Sequence, residues 1–271
     1  MPRLPRTITI DKKVGETPLQ ALDALRVRDS RFEDVKLAYA GRLDPMASGK
    51  LLVVVGEECK RHHSYLGLDK EYEIEVVFGV SSDTGDVLGI AKACGQAIIE
   101  ELVLRHAISE MQGEVALPFP AYSSKPVEGR PLFQWALEGR LSEIDIPVQH
   151  SHIYSIQLKS LMTLSSEELQ TRVSENIESF PEVTELSKMG GRDFRRDEVR
   201  ASWKSIKKEK QNTMYVVARI TCVCSSGTYM RTLANVLAKK LGTCGLALSI
   251  RRRKIGKYVA LSNWGFWVKQ Y

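Results

Sequence analysis

The 271-residue chain contains no long hydrophobic run: no apolar stretch exceeds five residues, the length of LLVVV at 51–55. A helix that spans a bilayer needs about 20 such residues, so none is expected. The opening MPRLPRTITIDKK lacks the apolar centre of a secretory signal, and a cytoplasmic location is expected. Cysteine is sparse, with Cys59, Cys94, Cys222, Cys224 and Cys244 the only five and no C-x-x-C pair among them. An odd, scattered set predicts free thiols in a reducing compartment. Walker phosphate loops and Rossmann glycine fingerprints are absent, so no nucleotide cofactor is expected. Cys59, His62 and His63 form one small group of metal-ligand types, and His150 with His152 another. Zinc needs three or four converging ligands and no second cluster has matching spacing, so no metal is expected.

Charge is unevenly placed. Residues 188–210 hold nine Lys or Arg against four Asp or Glu, and residues 251–271 hold six against none. The chain totals only +6, so everything outside these two segments sums to −5. Two basic segments on a mildly acidic body suit a polyanion, nucleic acid first among them. A solvated helix face is the alternative for 188–210, whose charges are mixed. Four adjacent cations, Arg251, Arg252, Arg253 and Lys254, repel one another unless a partner or solvent compensates them.

Strand and helix signals alternate, with no internal repeat. Residues 7–10 read as a strand. Thr17 and Pro18 form an N-cap and first-turn pair, opening a helix that buries Leu19, Leu22 and Leu25. A helix is predicted over 57–66. A strand over 70–79 places Tyr72, Ile74, Val76 and Phe78 on one face and Glu71, Glu73 and Glu75 on a wet one. SSDTGD at 81–86 is a polar turn, and 97–111 an amphipathic helix with Ile98, Leu102, Ile108 and Met111 inward. The Pro- and Gly-rich stretch 118–145 carries Tyr122, Phe133 and Trp135, which predicts an ordered projecting loop with a short helix. Strands follow over 146–164 and 213–225, with Ser165 opening a helix between them. Cys222 and Cys224 share one strand face as core thiols. Gly227 then turns into a helix buried through Met230, Leu233, Leu237 and Leu241, and a last strand covers 247–257. The fold class is α+β, a largely antiparallel sheet flanked by helices in a single domain over 1–271.

One loop carries chemistry. AYAGRLDPMASGKLLVVV, at 38–55, sets Asp44 between Gly41 and Gly49 and directly before Pro45, ahead of an aliphatic strand. Proline holds its predecessor in extended backbone, so the carboxylate is projected from the edge of a sheet. Taken alone, an Asp-Pro pair flanked by glycines is also an ordinary turn former.

The company of Asp44 decides between these readings. GRLDPMASGKL, LDKEYEIEVVFGVSSDTGD, FPAYSSKPVEGRPLFQWALEGRL and SSGTYMRTLANVLAKKLGTCGLALSIRRRKIGKY occur in this order. Together they resemble the TruB family of pseudouridine synthases, which isomerise a uridine in the T loop of tRNA, at position 55. The resemblance implies a pseudouridine synthase fold with an RNA-gripping insertion at about 118–145. It implies that Asp44 is the catalytic aspartate, that Tyr72 stacks on the target base, and that Arg231 pairs with the aspartate. Tyr229 and Ile250 would line the pocket. Lys12 matches the lysine of the family's Lys-Pro pair, and Tyr39 stands where many members have a histidine that contacts the flipped region. Lys125 sits one place before the usual lysine. An arginine beside a carboxylate favours its charged form and fixes its direction. Arg251, Arg252, Arg253 and Lys254 are expected on the RNA backbone.

The resemblance further implies a monomer acting on a tRNA T stem-loop, with no cofactor and no membrane. No separate PUA domain, the C-terminal module of many relatives, is expected. Two alternatives remain: a noncatalytic RNA-binding or tRNA-folding protein, and a synthase that acts on another RNA.

Overall fold

The computed structural model describes residues 4–180, 195–209, 212–261 and 265–271. The first half runs β1 (Thr7–Lys12), α1 (Pro18–Arg28), β2 (Leu37–Ala40), β3 (Ala47–Val55), β4 (Asp69–Phe78), β5 (Val80–Ser82), β6 (Ala91–Ala93), α2 (Glu101–Ser109) and β7 (Gly113–Pro118). A small hairpin, β8 (Pro126–Val127) and β9 (Arg130–Pro131), leads into α3 (Leu132–Leu137). After it come β10 (Val148–Ser165), α4 (Ser166–Glu178), α5 (Arg196–Glu209), β11 (Met214–Cys224), α6 (Met230–Lys240), β12 (Gly245–Ala260) and β13 (Gly265–Gln270).

Nine strands form the main sheet, in the order β1-β3-β12-β4-β11-β10-β7, with β2 on β3 and β13 on β12. Every pairing of named strands is antiparallel except β12 with β3, which are parallel and register Ile250 with Ala47 and Arg252 with Gly49. That exception places the exit of the Asp44 loop against β12. A side chain at 49 cannot fit there: Gly49 has φ +102°, and a Cβ on it would lie 2.2 Å from the Arg252 carbonyl oxygen. In the centre, β4 Tyr72 registers with Arg252 on one side and Cys222 on the other.

The predicted caps form. The Thr17 hydroxyl accepts from Gln20 N–H and the Gln20 side chain accepts from Thr17 N–H, closing a capping box at α1; Ser165 and Glu168 do the same at α4. Buried leucines such as Leu233 and Leu237 fix α6 on the sheet, each contributing roughly 1.5–3 kcal/mol. The insertion is ordered, as expected. Its Trp135 is buried between the Arg130 and Arg140 guanidinium groups, 4.8 and 5.0 Å from the ring.

Several expectations are corrected. Leu19 is exposed, and Ala21 joins Leu22 and Leu25 on the inner face of α1. Residues 56–65 form a 3₁₀ rather than an α-helix. Ile98 and Leu102 are 89 % and 81 % exposed, because α2 starts only at Glu101 and turns Leu104, Ala107 and Ile108 inward. On β4 the wet face stops at Glu73. Glu75 is buried under α4, where it accepts from Arg172, from Arg219 at 2.9 Å and from the Ser249 hydroxyl at 2.9 Å. The last strand extends to Ala260 and returns as β13. Cys94 and Cys244 form a disulfide, against the expectation of free thiols. Both flank Gly79, whose N–H donates to the Cys244 carbonyl while its carbonyl accepts from Cys94 N–H, so the sheet brings together residues 150 apart in sequence. Cys222 and Cys224 are buried free thiols, as predicted.

Candidate active site

The Asp44 loop is built to be rigid. Asp44 C=O accepts from Ala47 N–H at 3.0 Å, closing a turn, and Gly41 enters it at φ +81°. Beneath the loop lies Arg252, whose Nε donates to Lys50 O at 2.7 Å, Nη1 to Arg42 O at 3.2 Å and Nη2 to Gly41 O at 3.1 Å. From the other side, Lys12 Nζ donates to the carbonyls of Lys13, Glu16 and Pro45 at 2.8, 2.6 and 3.3 Å. Two buried cations therefore hold the backbone from which the carboxylate projects.

Arg231, in the first turn of α6, meets that carboxylate. Its Nε lies 2.8 Å from Asp44 Oδ2 and 3.6 Å from Asp86 Oδ2, with its N–H aligned on neither. The outer nitrogens are fixed by backbone: Nη1 donates to Thr84 O at 2.9 Å and Nη2 to Tyr122 O at 3.2 Å. Burial works against the Arg231 charge, but Asp44 and Asp86 outweigh it and its pKa is raised. Asp86 is buried, which pushes its carboxyl up despite the neighbouring Arg231. Its Oδ1 accepts from the Thr84 hydroxyl at 2.7 Å and from Leu88 N–H at 2.9 Å. The Asp44 side chain is 39 % exposed against 6 % for Arg231, so one carboxylate faces the opening and the other stays behind the guanidinium.

These groups share a cleft of about 560 Å³, within the range usual for ligand sites. Asp44, Tyr72, Arg231, Tyr229, Ile250 and Tyr39 all line it, as the motif comparison anticipates. The insertion contributes Tyr122, Ser123, Ser124 and Phe133, and Arg42 Nη1 donates to Ser124 Oγ at 2.7 Å across the mouth. Burial pushes the Tyr72 and Tyr229 phenols up, keeping both protonated. Lys70 reaches the wall and donates to Leu66 O and Ser226 Oγ, both at 3.1 Å, and to Leu68 O. Burial is the first cause that lowers Lys12 and Lys70 to about 8 each; Arg252 adds to it.

Lys12 does not line the cleft, and Arg252 lines it only from beneath the Asp44 loop. Lys12 is 0 % and Arg252 1 % exposed, both spent on backbone carbonyls, so Arg252 is no surface cation for a phosphate. The strand alternation of β12, with its bulge between Arg252 and Lys254, turns one cation in and three out. The outward three are already paired: Arg251 with Asp11, Arg253 with Glu73 and Lys254 with Glu71. In the other basic segment, 188–194 and 210 lie outside the described residues, while Arg200 and Lys207 of α5 pair with Glu178 and Glu167. Among the described residues no group of three or more His, Cys, Asp or Glu is arranged to hold a metal. No described helix is long and apolar enough to cross a membrane.

Residues 29–178 match the sequence profile of the TruB family pseudouridylate synthase, N-terminal domain, more than half of the chain. The chain belongs to the TruB family. It is 28 % identical over 251 residues to the tRNA pseudouridine synthase B of Caldicellulosiruptor saccharolyticus, covering 93 % of this chain and 67 % of that protein. The Aromatoleum aromaticum protein of the same name is also 28 % identical over 251 residues, with 63 % of it covered. That of Psychrobacter cryohalolentis is 26 % identical over 255 residues, with 56 % covered. The chain thus spans between about half and two thirds of these TruB relatives. A chain in the crystal structure of a Cbf5-Nop10-Gar1 complex shares the fold, with a TM-score of 0.52 and 14 % identity over 92 % of this chain and 48 % of that one.

Sequence reasoning found the cleft of this TruB chain through Asp44, Tyr72 and Arg231 but left Asp86 as part of a polar turn. The available signal was an acidic residue closing SSDTGD directly before the apolar Val87. Lys70, two residues before Tyr72, was missed although strand alternation puts it on the inward face with Tyr72, Ile74 and Val76, because a lysine at the start of a strand is ordinarily solvated.

Proposed function

We propose that this chain isomerises the T-loop uridine of tRNA to pseudouridine, with Asp44 as the reacting carboxylate. The observation that carries the reading is the half-exposed Asp44 set 2.8 Å from buried Arg231, in a cleft lined by Tyr72. The reaction breaks the bond between uracil N1 and the sugar C1′, turns the base, and rejoins it through C5. No electrons leave the substrate and no group is lost except the C5 proton, which moves to solvent as N1 gains one. Asp44 initiates either by attack on the sugar or ring, or by removing a sugar proton. In all these routes the buried guanidinium stands beside the carboxylate as its ion-pair partner.

The uridine must leave its stack to reach Asp44, at a cost of a few kcal/mol. Stacking on an aromatic such as Tyr72 returns about 1–3 kcal/mol per base. The names of the relatives, each a tRNA pseudouridine synthase B, support the substrate class. Phosphate contact is assigned to Arg42, whose described partner is a serine hydroxyl rather than a carboxylate, ahead of Arg251, Arg253 and Lys254. The test is to incubate the purified protein with a T stem-loop transcript and map pseudouridine by a specific chemical adduct. A single adduct at the T-loop uridine is expected; RNA binding without product would favour the noncatalytic alternative.

A further inference from the structure

We propose that Arg195 is a positioning residue for Arg231: by clamping Asp83 and Tyr122 it fixes the two carbonyls that set the guanidinium against Asp44. The proposal rests on the reading of Asp44 and Arg231 as the reacting pair. Arg195 precedes α5 and lies outside residues 29–178, the part matched by the TruB profile. Its side chain is 15 % exposed, with Nη1 2.5 Å from Asp83 Oδ2 and the guanidinium carbon 4.6 Å from the centre of the Tyr122 ring. The Tyr122 hydroxyl donates to the same Asp83 oxygen at 3.2 Å. Two groups from separate segments thus converge on one carboxylate oxygen.

Both anchors of Arg231 belong to this cluster. Nη1 bonds the carbonyl of Thr84, adjacent to Asp83, and Nη2 bonds the carbonyl of Tyr122 itself. Helix α5 holds the far end of the same turn: Ser202 Oγ accepts from Ala91 N–H at 3.0 Å, and Trp203 Nε1 donates to Val87 O at 3.1 Å. At the near end Asp83 Oδ1 accepts from Ile90 N–H at 2.9 Å and Oδ2 faces Arg195, whose backbone sits at φ +54°, a conformation that non-glycine residues rarely adopt. Burial, with Asp83 beside it, pushes the Tyr122 phenol up to about 12, so the hydroxyl remains a donor. A guanidinium is suited to the task because it forms an ion pair and stacks flat on a ring at once.

The test compares Arg195→Ala, Arg195→Lys, Asp83→Ala and the double alanine variant in full-length protein. Readouts are the single-turnover rate at saturating T stem-loop RNA, RNA affinity, and hydrogen exchange of peptides covering 81–91 and 119–124. Arg195→Ala is expected to slow the saturated rate about tenfold, equivalent to about 1.4 kcal/mol of transition-state stabilisation, with affinity unchanged. Exchange should quicken in the two segments and not elsewhere. Arg195→Lys should recover part of the rate, and the double variant should be no slower than either single one. Weaker RNA binding at an unchanged saturated rate would make Arg195 a phosphate contact and overturn the proposal, as would exchange that quickens throughout the sheet. If the wild-type protein forms no pseudouridine, the functional reading fails and exchange alone decides: local quickening upholds the clamp and no change refutes it.

Discussion

Replacing Arg252 by methionine separates a strut from a phosphate contact. Methionine fills much of the same volume, so the chief loss is three hydrogen bonds, to the carbonyls of Lys50, Arg42 and Gly41 at 2.7, 3.2 and 3.1 Å. A typical hydrogen bond is worth about 1 kcal/mol net, and more when the donor is charged. Three sum to about 3–5 kcal/mol, offset in part because a buried charge no longer has to be desolvated. The repulsion that Arg252 exerts on Lys12 and Lys70 also vanishes. A net loss of about 2–4 kcal/mol lowers the melting temperature by roughly 4–7 °C for a domain of this size. The Asp44 loop loses its floor, so the saturated rate should fall as well, with RNA affinity little changed. Urea unfolding, single-turnover kinetics and filter binding on one preparation measure all three. Full stability together with weakened, less salt-sensitive RNA binding would refute the reasoning and return Arg252 to the RNA backbone.

Lys12 and Lys70 titrate at about 8 in the folded protein against 10.5 ordinarily, so between those values the unfolded chain carries the extra protons. Stability should therefore rise from pH 8 to 9.5, by about 1–2 kcal/mol per lysine, with the full penalty present below pH 8; urea midpoints should show the rise in wild type and not in Lys12→Met/Lys70→Met. Arg42→Ala should reduce the slope of log affinity against log salt by about 0.7–0.9, whereas Arg253→Ala/Lys254→Ala should leave it nearly unchanged, since those cations already pair with Glu73 and Glu71. Gly49→Ala forces a Cβ to within 2.2 Å of the Arg252 carbonyl oxygen at φ +102° and should cost roughly 2–4 kcal/mol in denaturant unfolding.

Local signals in the sequence carried far. Thr17-Pro18 and Ser165 open their helices because a cap needs only its own next three residues. Gly41, Asp44, Pro45 and Gly49 describe one loop within nine positions. Errors arose where a second element decides the environment. The alternation of β4 is the same at Glu73 and Glu75, but α4 covers only the latter. Ile98 and Leu102 continue a helical stripe that the chain does not fold onto the core, and Leu104 and Ile108 replace them. RRRK reads as one patch until β12 is paired, whereupon a bulge and the parallel contact with β3 bury its second member. The Cys94–Cys244 link and the Asp86–Arg231 contact join positions about 150 apart, and no local pattern announces either.

The most direct test of the central claim is tritium release from a T stem-loop carrying uridine labelled at C5. Joining C5 to the sugar expels that hydrogen, so the wild-type protein should release one tritium per T-loop uridine, and Asp44→Asn should release none while binding the RNA with unchanged affinity. Release by Asp44→Asn at the wild-type rate would contradict the account.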